Sequence, residues 1–448
     1  MSKKEQYVAA IDIGTTKIVA VVGKRNENDK IEILGISKAR SPGVDRGVVL
    51  NIEETVSSIR KTVEDVQKIS GVVFDEVFVG IAGQHIKSKK NRGYITRDNY
   101  EMEINEKEVF KLIDDMNKIH VDIGEEILHV LPQNFIVDNE TGIKNPIGMC
   151  GKRLEANFHI VIGDVASTKN IERCIKRIDM NIKDVILEPL ASADAVLTDD
   201  EKEAGVVLVD IGGGTTDVAV YYDNIIRHTA VIPFGGNLIT EDIKRGCQTL
   251  WNYAERLKTE YGSAFGDIAP ENKVVSVPGI SGRPPKEISF KNLAYIIQSR
   301  MEEIIDVVNF EIKNSGYADK LAAGIVITGG GAMLKHIPQL MKFKTAMDVK
   351  IGLPNEHLTG TSKNELNQPM YATAVGLILK GFEYLDTYKQ PFRAGKVGDF
   401  TPGATSKSKE PKPVEETDTS NNGRLSPFQR MKEMFVQMFE VEDQPIHK

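Results

Sequence analysis

The sequence predicts an α/β protein of two lobes built on duplicated mixed-sheet cores, and three observations predict it. Asp12-Ile13-Gly14-Thr15-Thr16-Lys17 lies near the start, with an apolar run on either side (Tyr7 to Ile11, Ile18 to Val22). Asp210-Ile211-Gly212-Gly213-Gly214-Thr215-Thr216-Asp217 repeats the pattern about two hundred residues later, between Gly205 to Val209 and Val218 to Tyr221. Each reads as strand, tight Gly/Thr turn, strand. The third observation is the apolar run Ala323 to Thr328 entering Gly329-Gly330-Gly331-Ala332-Met333-Leu334, which predicts a strand, a glycine turn and a helix.

The turns carry a chemistry. Glycines let the backbone approach a bound group closely, and successive turn amides form a concavity that attracts anions. Thr15, Thr16, Thr215 and Thr216 add hydroxyl donors. Asp12 and Asp210 leave their strands where a phosphate-bound Mg²⁺ needs oxygen ligands, reached through its waters. Lys17 would neutralise phosphate charge. Two such hairpins face to face would clamp a polyphosphate, with Gly14 to Lys17 on one side and Gly212 to Thr216 on the other. Gly329, Gly330, Gly331 and Met333 would let a flat ligand or its sugar approach the strand end, and helix amides there would favour phosphate oxygens. No Gly-x4-Gly-Lys-Ser/Thr loop and no Gly-x-Gly-x-x-Gly fingerprint occurs, which excludes the P-loop and Rossmann readings.

In this order the two phosphate turns and the late Gly-Gly-Gly resemble the actin, sugar-kinase and DnaK-type chaperone superfamily. Glu188-Pro189-Leu190-Ala191-Ser192-Ala193 looks like the connecting motif of its bacterial members. Three segments bring the resemblance closer to the family of bacterial cell-division actin homologues: Pro42 to Val49, Val79 to Ile86, and Gly282-Arg283-Pro284-Pro285-Lys286. It covers roughly residues 5 to 390 and returns in the last twenty.

The resemblance implies an actin-like ATPase fold that binds ATP and Mg²⁺ with at most weak ATPase activity. It implies that Glu188 positions a water. It also implies that Glu255 and Lys258 touch the ribose and base. Spacing alone fits a surface ion pair equally well. The implied partners are the C-terminal tail of the tubulin-like protein FtsZ, docked at Arg283 to Lys286, the chain itself in a polymer, and later division proteins at the inserted subdomain. A sugar kinase would share the turns but would need a catalytic Asp in a substrate pocket. A chaperone would need a β-domain after residue 390.

Composition bounds these readings. The 448 residues exceed a single core, 41% are hydrophobic and 27% charged, and the net charge of −7 argues against a general nucleic-acid binder. Cys150, Cys174 and Cys247 are few and scattered, which suggests reduced thiols. No signal-peptide core follows Met1, and no apolar run approaches the roughly twenty residues that span a bilayer.

The predicted organisation is as follows. Residues 1 to 86 and 166 to 204 form the first lobe's core. A helix starts near Asn51, and a last helix near 369 to 390 packs back on this lobe. Residues 87 to 165 are an inserted α+β subdomain with a helix at about Lys107 to Ile119. Residues 205 to 240 and 310 to 368 form the second lobe's core and 241 to 309 its outer subdomain. Helices are expected at Trp251 to Tyr261 and at Ala294 to Asn314, where Ile296, Ile297, Met301, Ile304, Ile305, Val308 and Ile312 share one face.

Residues 391 to 424, rich in Pro, Gly, Lys, Ser, Thr and Glu, predict a disordered linker with a reach of roughly 30 Å. Residues 425 to 441 predict an amphipathic helix opened by Ser426-Pro427. Leu425, Phe428, Met431, Phe435, Met438 and Phe439 share its apolar arc, with Lys432 at the edge. At roughly 22 Å it is too short and too polar to span a bilayer, so it is expected to lie in a membrane interface. The same face permits docking in a protein groove. These parts predict a peripheral protein on the cytoplasmic side of the membrane at the division site.

Overall fold

The structure is a computed structural model and describes residues 6–26, 30–279, 281, 283–354, 358–359, 366–388 and 392–396. It opens with β1 (Tyr7–Ile13) and β2 (Lys17–Arg25), an antiparallel hairpin in which Ile13 faces Ile18. β3 (Ile31–Arg40) extends the meander, and β4 (Val44–Asp45) with β5 (Val48–Val49) makes a tight ribbon. α1 (Ile52–Ser70) starts where the sequence predicts, because the Asn51 side chain accepts the amide of Glu54. Gly71 ends it in the left-handed conformation. Val56, Ile59, Val63 and Val66 form its buried stripe. β6 (Val72–Phe74) follows, and β7 (Glu76–Ile81) joins β1 in parallel.

The insertion folds around its own core. β8 (Lys87–Thr96), α2 (Glu106–Asn117), β9 (Glu125–Val137), β10 (Glu140–Ile143) and β11 (Arg153–Asp164) give a sheet of order β10-β9-β11-β8. Leu112 and Ile113 of α2 pack with Phe135 and Phe158. An Asn105–Glu108 capping box starts that helix. The subdomain also rests on the second lobe: Ser88 Oγ donates to Thr229 O at 3.1 Å, and Lys90 Nζ to Ser315 O at 3.3 Å.

The chain returns through α3 (Val165–Lys176) and β12 (Asn181–Leu187), which lies parallel to β7, and crosses to the second lobe along α4 (Glu188–Val196) and α5 (Asp199–Ala204). The second lobe repeats the first: β13 (Val206–Ile211), β14 (Thr216–Tyr222) and β15 (Ile225–Ile232) form an antiparallel meander. α6 (Gly236–Gly246) and α7 (Trp251–Arg256) follow, and a π-helical turn at Leu257–Tyr261 completes the helix expected to end at Tyr261. β16 (Val274–Val277) and β17 (Lys286–Ser289) pair as a ribbon, and α8 (Phe290–Ser315) carries the predicted apolar face. β18 (Ile325–Thr328), α9 (Ile337–Thr345) and β19 (Val349–Ile351) complete the sheet, with β18 parallel to β13 as β7 is to β1. β20 (Leu358–Thr359), α10 (Ala372–Tyr388) and β21 (Ala394–Lys396) close the described chain.

Four expectations are corrected. The boundary at 309/310 falls inside α8, whose Leu293 to Ile312 stripe belongs to one continuous core. β20 pairs with β3 and Leu366 packs in the first lobe's core, so the stretch to 368 does not belong wholly to the second lobe. Residues 392–396 are not linker: β21 pairs with β6, and Phe392 stacks on Phe78 at 5.8 Å. A three-residue strand held by backbone bonds leaves no trace in composition. After Gly329 the chain makes only a 3₁₀ turn, Gly330–Met333, and the α-helix waits until Ile337. The remaining linker, from residue 397, and the helix at 425 to 441 lie outside the described residues. No described helix is long and apolar enough to cross a membrane.

Candidate functional site

The two hairpins meet tip to tip. Each turn closes with the same hydrogen bond, Gly14 N to Lys17 O at 3.1 Å and Gly212 N to Thr215 O at 2.9 Å. A Cβ on Gly213 would lie 2.2 Å from Thr16 Oγ1, and one on Gly214 would lie 2.6 Å from Thr15 Oγ1. Only glycine permits that approach. Thr15 Oγ1 accepts the Gly47 amide at 3.0 Å, and Thr216 Oγ1 donates to Phe234 O at 2.8 Å. α6 is seated on the second turn: Gly236 N donates to Gly212 O and Asn237 N to Gly213 O.

Behind the turns, carboxylates gather. Asp12, Asp210 and Asp217 are buried on β1, β13 and β14, and Glu188 is the first residue of α4. Burial raises the Asp12 carboxyl to about 6, with Lys17 opposing and Asp210 reinforcing the shift. Burial, then Asp12, Asp217 and Asp210, pushes Glu188 well above the usual carboxylate range. Asp217 is pushed up by burial and by Asp210 and Asp12, and its Oδ1 has no hydrogen-bond partner among the described residues. Asp210 is raised by burial but supported: Ser192 Oγ donates to its Oδ2 at 2.7 Å and Thr373 Oγ1 at 3.3 Å. Lys17, at the end of the first turn, donates from Nζ to Met370 O at 2.5 Å.

This donor set fits a polyphosphate that brings a divalent cation. Four converging carboxyls and a buried oxygen without a partner favour incoming positive charge. The glycine-lined pinch leaves no Cβ in the way. Among the described residues no group of three or more His, Cys, Asp or Glu is placed to hold a metal ion by itself.

The glycine turn after β18 and the Glu255–Lys258 pair lie beside this cluster. Gly329 has φ of 80°, and a Cβ there would lie 2.2 Å from Asp210 Oδ1, so the glycine turn abuts the second carboxylate. Gly330 faces open space, a Cβ on Gly331 would meet Ile211, and Met333 is exposed. Lys258 is not a solvated surface lysine. Its Nζ pairs with Glu255 at 2.8 Å, donates to Gly236 O at 2.9 Å and reaches Thr240 Oγ1 at 2.7 Å. The pair therefore borders the second turn through α6. Arg283, Pro284, Pro285 and Lys286 lie far along the chain from these groups and are exposed, Lys286 at the start of β17. Leu425, Phe428, Met431, Lys432, Phe435, Met438 and Phe439 lie outside the described residues.

Sequence reasoning passed over Asp217, Ser192 and Thr373. All three stand inside segments singled out for other residues. Their signal, a carboxylate or hydroxyl beside the turn or on a connecting helix, acquires meaning only when α4 and α10 cross beneath Asp210.

Two lobes with duplicated meanders, each joined by a parallel strand and separated by facing Gly/Thr turns, define an actin-like fold. It is similar to a chain of the PilM–PilN type IV pilus biogenesis complex (TM-score 0.61, 14% identity, 84% of this chain and 98% of that one). It is also similar to MreB5 of Spiroplasma citri bound to ADP (TM-score 0.53, 15% identity, 86% and 99%). Residues 207–376 match the family model described as cell division protein FtsA, and residues 83–162 match the SHS2 domain inserted in FtsA. Over 381 residues the chain is 40% identical to the cell division protein FtsA of Pseudomonas aeruginosa, covering 84% of this chain and 90% of that protein. With that of Escherichia coli it shares 34% over 385 residues, covering 84% and 91%. The chain belongs to the FtsA family of cell-division proteins.

Proposed function

We propose that this chain binds ATP with Mg²⁺ between its lobes, self-associates in that state, and tethers FtsZ filaments to the cytoplasmic face of the membrane at the division site. The observation that carries the reading is the direct apposition of the two Gly/Thr turns over buried carboxylates. Gly14, Thr15 and Thr16 would hold one side of the phosphates and Gly212 to Thr216 the other. Asp12 and Asp210 would orient the cation through its waters. Bound Mg²⁺ supplies charge neutralisation of phosphate and carboxylates together. Gly329 to Met333, Glu255 and Lys258 would border the nucleoside. Glu188, its carboxyl raised well above the usual range by burial and by Asp12, Asp217 and Asp210, would position a water for hydrolysis that is slow at most. Nucleotide then acts mainly on lobe closure and self-association.

The helix at 425 to 441 would attach the polymer to lipid, many modest tails adding up through effective concentration. Arg283 to Lys286 would receive the acidic tail of FtsZ, their exposure and charge suiting it. The inserted subdomain would recruit later division proteins. Liposome co-sedimentation tests the reading, using the full chain and a version ending at Gly423, with FtsZ filaments, with and without Mg-ATP. Only the full chain should pellet, carrying FtsZ with it. If both versions stay in solution, the tail docks on protein and the membrane role falls.

A further inference from the structure

The Arg46–Gly47 turn belongs to the β4–β5 ribbon, yet it touches both phosphate hairpins. Gly47 N donates to Thr15 Oγ1 on the first hairpin at 3.0 Å. On the second, a Cβ at Gly214 would stand 3.0 Å from the Arg46 Cα. A third side is held by the loop after β7: Gln84 N donates to Arg46 O at 3.3 Å, and a Cβ on Gly47 would lie 2.6 Å from Ala82 O. The turn is strained as well as clamped. Arg46 has φ of 46° and Gly47 has φ of 75°, and the left-handed region is unfavourable for a long side chain such as arginine.

The turn also carries the Arg46 side chain. It is exposed, and its guanidinium makes no hydrogen bond or ion pair among the described residues. A free, permanently charged fork thus sits at the rim of the pinch between the two turns, on a backbone fixed by both. Guanidinium matches the paired oxygens of a terminal phosphate.

We infer that Arg46 is a nucleotide-contacting residue that reads the terminal phosphate and so discriminates nucleoside triphosphate from diphosphate. The inference rests on the nucleotide-cleft reading above. A triphosphate offers one more set of paired oxygens than a diphosphate, and Arg46 is the cation whose backbone abuts Gly214 of the second turn. Loss of the guanidinium therefore weakens the triphosphate selectively.

The test is equilibrium binding of Mg-ATP and Mg-ADP, by competition against a fluorescent nucleotide, to the full chain and to its Arg46→Ala and Arg46→Lys variants. Arg46→Ala should lose about 10-fold in ATP affinity with ADP unchanged within about 2-fold, and Arg46→Lys should recover part of the loss. The melting temperature without nucleotide should not fall, because the side chain has no partner to lose. Equal losses for both nucleotides, or none for either, overturn the inference. If the unsubstituted chain binds neither nucleotide, the cleft reading itself fails. That failure is distinguishable because it precedes any substitution.

Discussion

The turn after Asp12 and the turn after Asp210 share a strand-turn-strand plan and the same closing hydrogen bond, and they differ in what holds the carboxylate. Asp210 Oδ2 receives hydroxyls from α4 and α10, while no described hydroxyl donates to Asp12. The second turn is further fixed by α6, whose first amides donate to Gly212 and Gly213. The first is fixed at Thr15 by the Gly47 amide. The duplicated motif thus has one carboxylate anchored by hydroxyls and one without that support. Burying a carboxylate without a hydroxyl donor costs more than burying one with two, so the two halves of the repeat carry different electrostatic loads.

The largest effect should come from breaking the apposition itself. Gly213→Val places a side chain where 2.2 Å separates a Cβ from Thr16 Oγ1, so the turns must part. ATP affinity, measured by titration with a fluorescent nucleotide, should fall about 100-fold. Gly14→Ala meets the Lys17 carbonyl of its own turn at 3.0 Å and Asp12 Oδ1 at an ordinary 3.8 Å, and should cost about 10-fold or less. Equal losses would show that the second turn is not the fixed one.

Next is the carboxylate without hydroxyl support. Asp12 titrates near 6 in the folded protein against 3.8 as its ordinary value, so the folded state binds more protons between those values. Stability should therefore fall as pH rises from about 4 to about 6 and stay lowered above. A shift of about two units is about 3 kcal/mol. Asp12→Asn should raise the melting temperature of the nucleotide-free protein in EDTA at pH 7.5, with the gain shrinking toward pH 5. Asp210→Asn, giving up a carboxylate that accepts two hydroxyls, should gain less. A gain independent of pH, or a larger one at Asp210, would contradict the assigned cause.

Much of this was legible along the chain. Continuous apolar runs around Gly/Thr turns gave both hairpins, Asn51 marked the start of α1, and one-sided apolar spacing gave α8. These are local signals, written within a few residues. What stayed hidden depends on distant segments meeting. Ser192 and Thr373 lie 18 and 163 residues from the Asp210 they support, β21 closes on a strand more than three hundred residues away, and β20 crosses back to the first sheet. The partner of Lys17 stayed hidden for the same reason: its turn was visible, but the Met370 carbonyl that receives its Nζ comes from the far end of the chain. The boundary placed inside α8 failed because an apolar stripe reports burial without saying which subdomain provides the cover.

The smallest effect isolates the anchor of the second turn. Ser192→Ala removes a buried hydroxyl that donates to Asp210 at 2.7 Å and lies 3.0 Å from Thr373 Oγ1. A hydrogen bond to a charged group contributes about 1.5–3 kcal/mol, but Thr373 remains on the same oxygen. The expected loss is therefore about 1 kcal/mol in chemical denaturation. Thr373→Val, which gives up the longer 3.3 Å contact, should lose less, and the double variant more than the two single losses added together. The reason is that each hydroxyl partly covers for the other: removing both leaves a buried carboxylate with no donor, the condition Asp12 already tolerates. If the double variant is merely additive, Asp210 draws support from elsewhere and the two turns are more alike than their hydrogen bonds indicate.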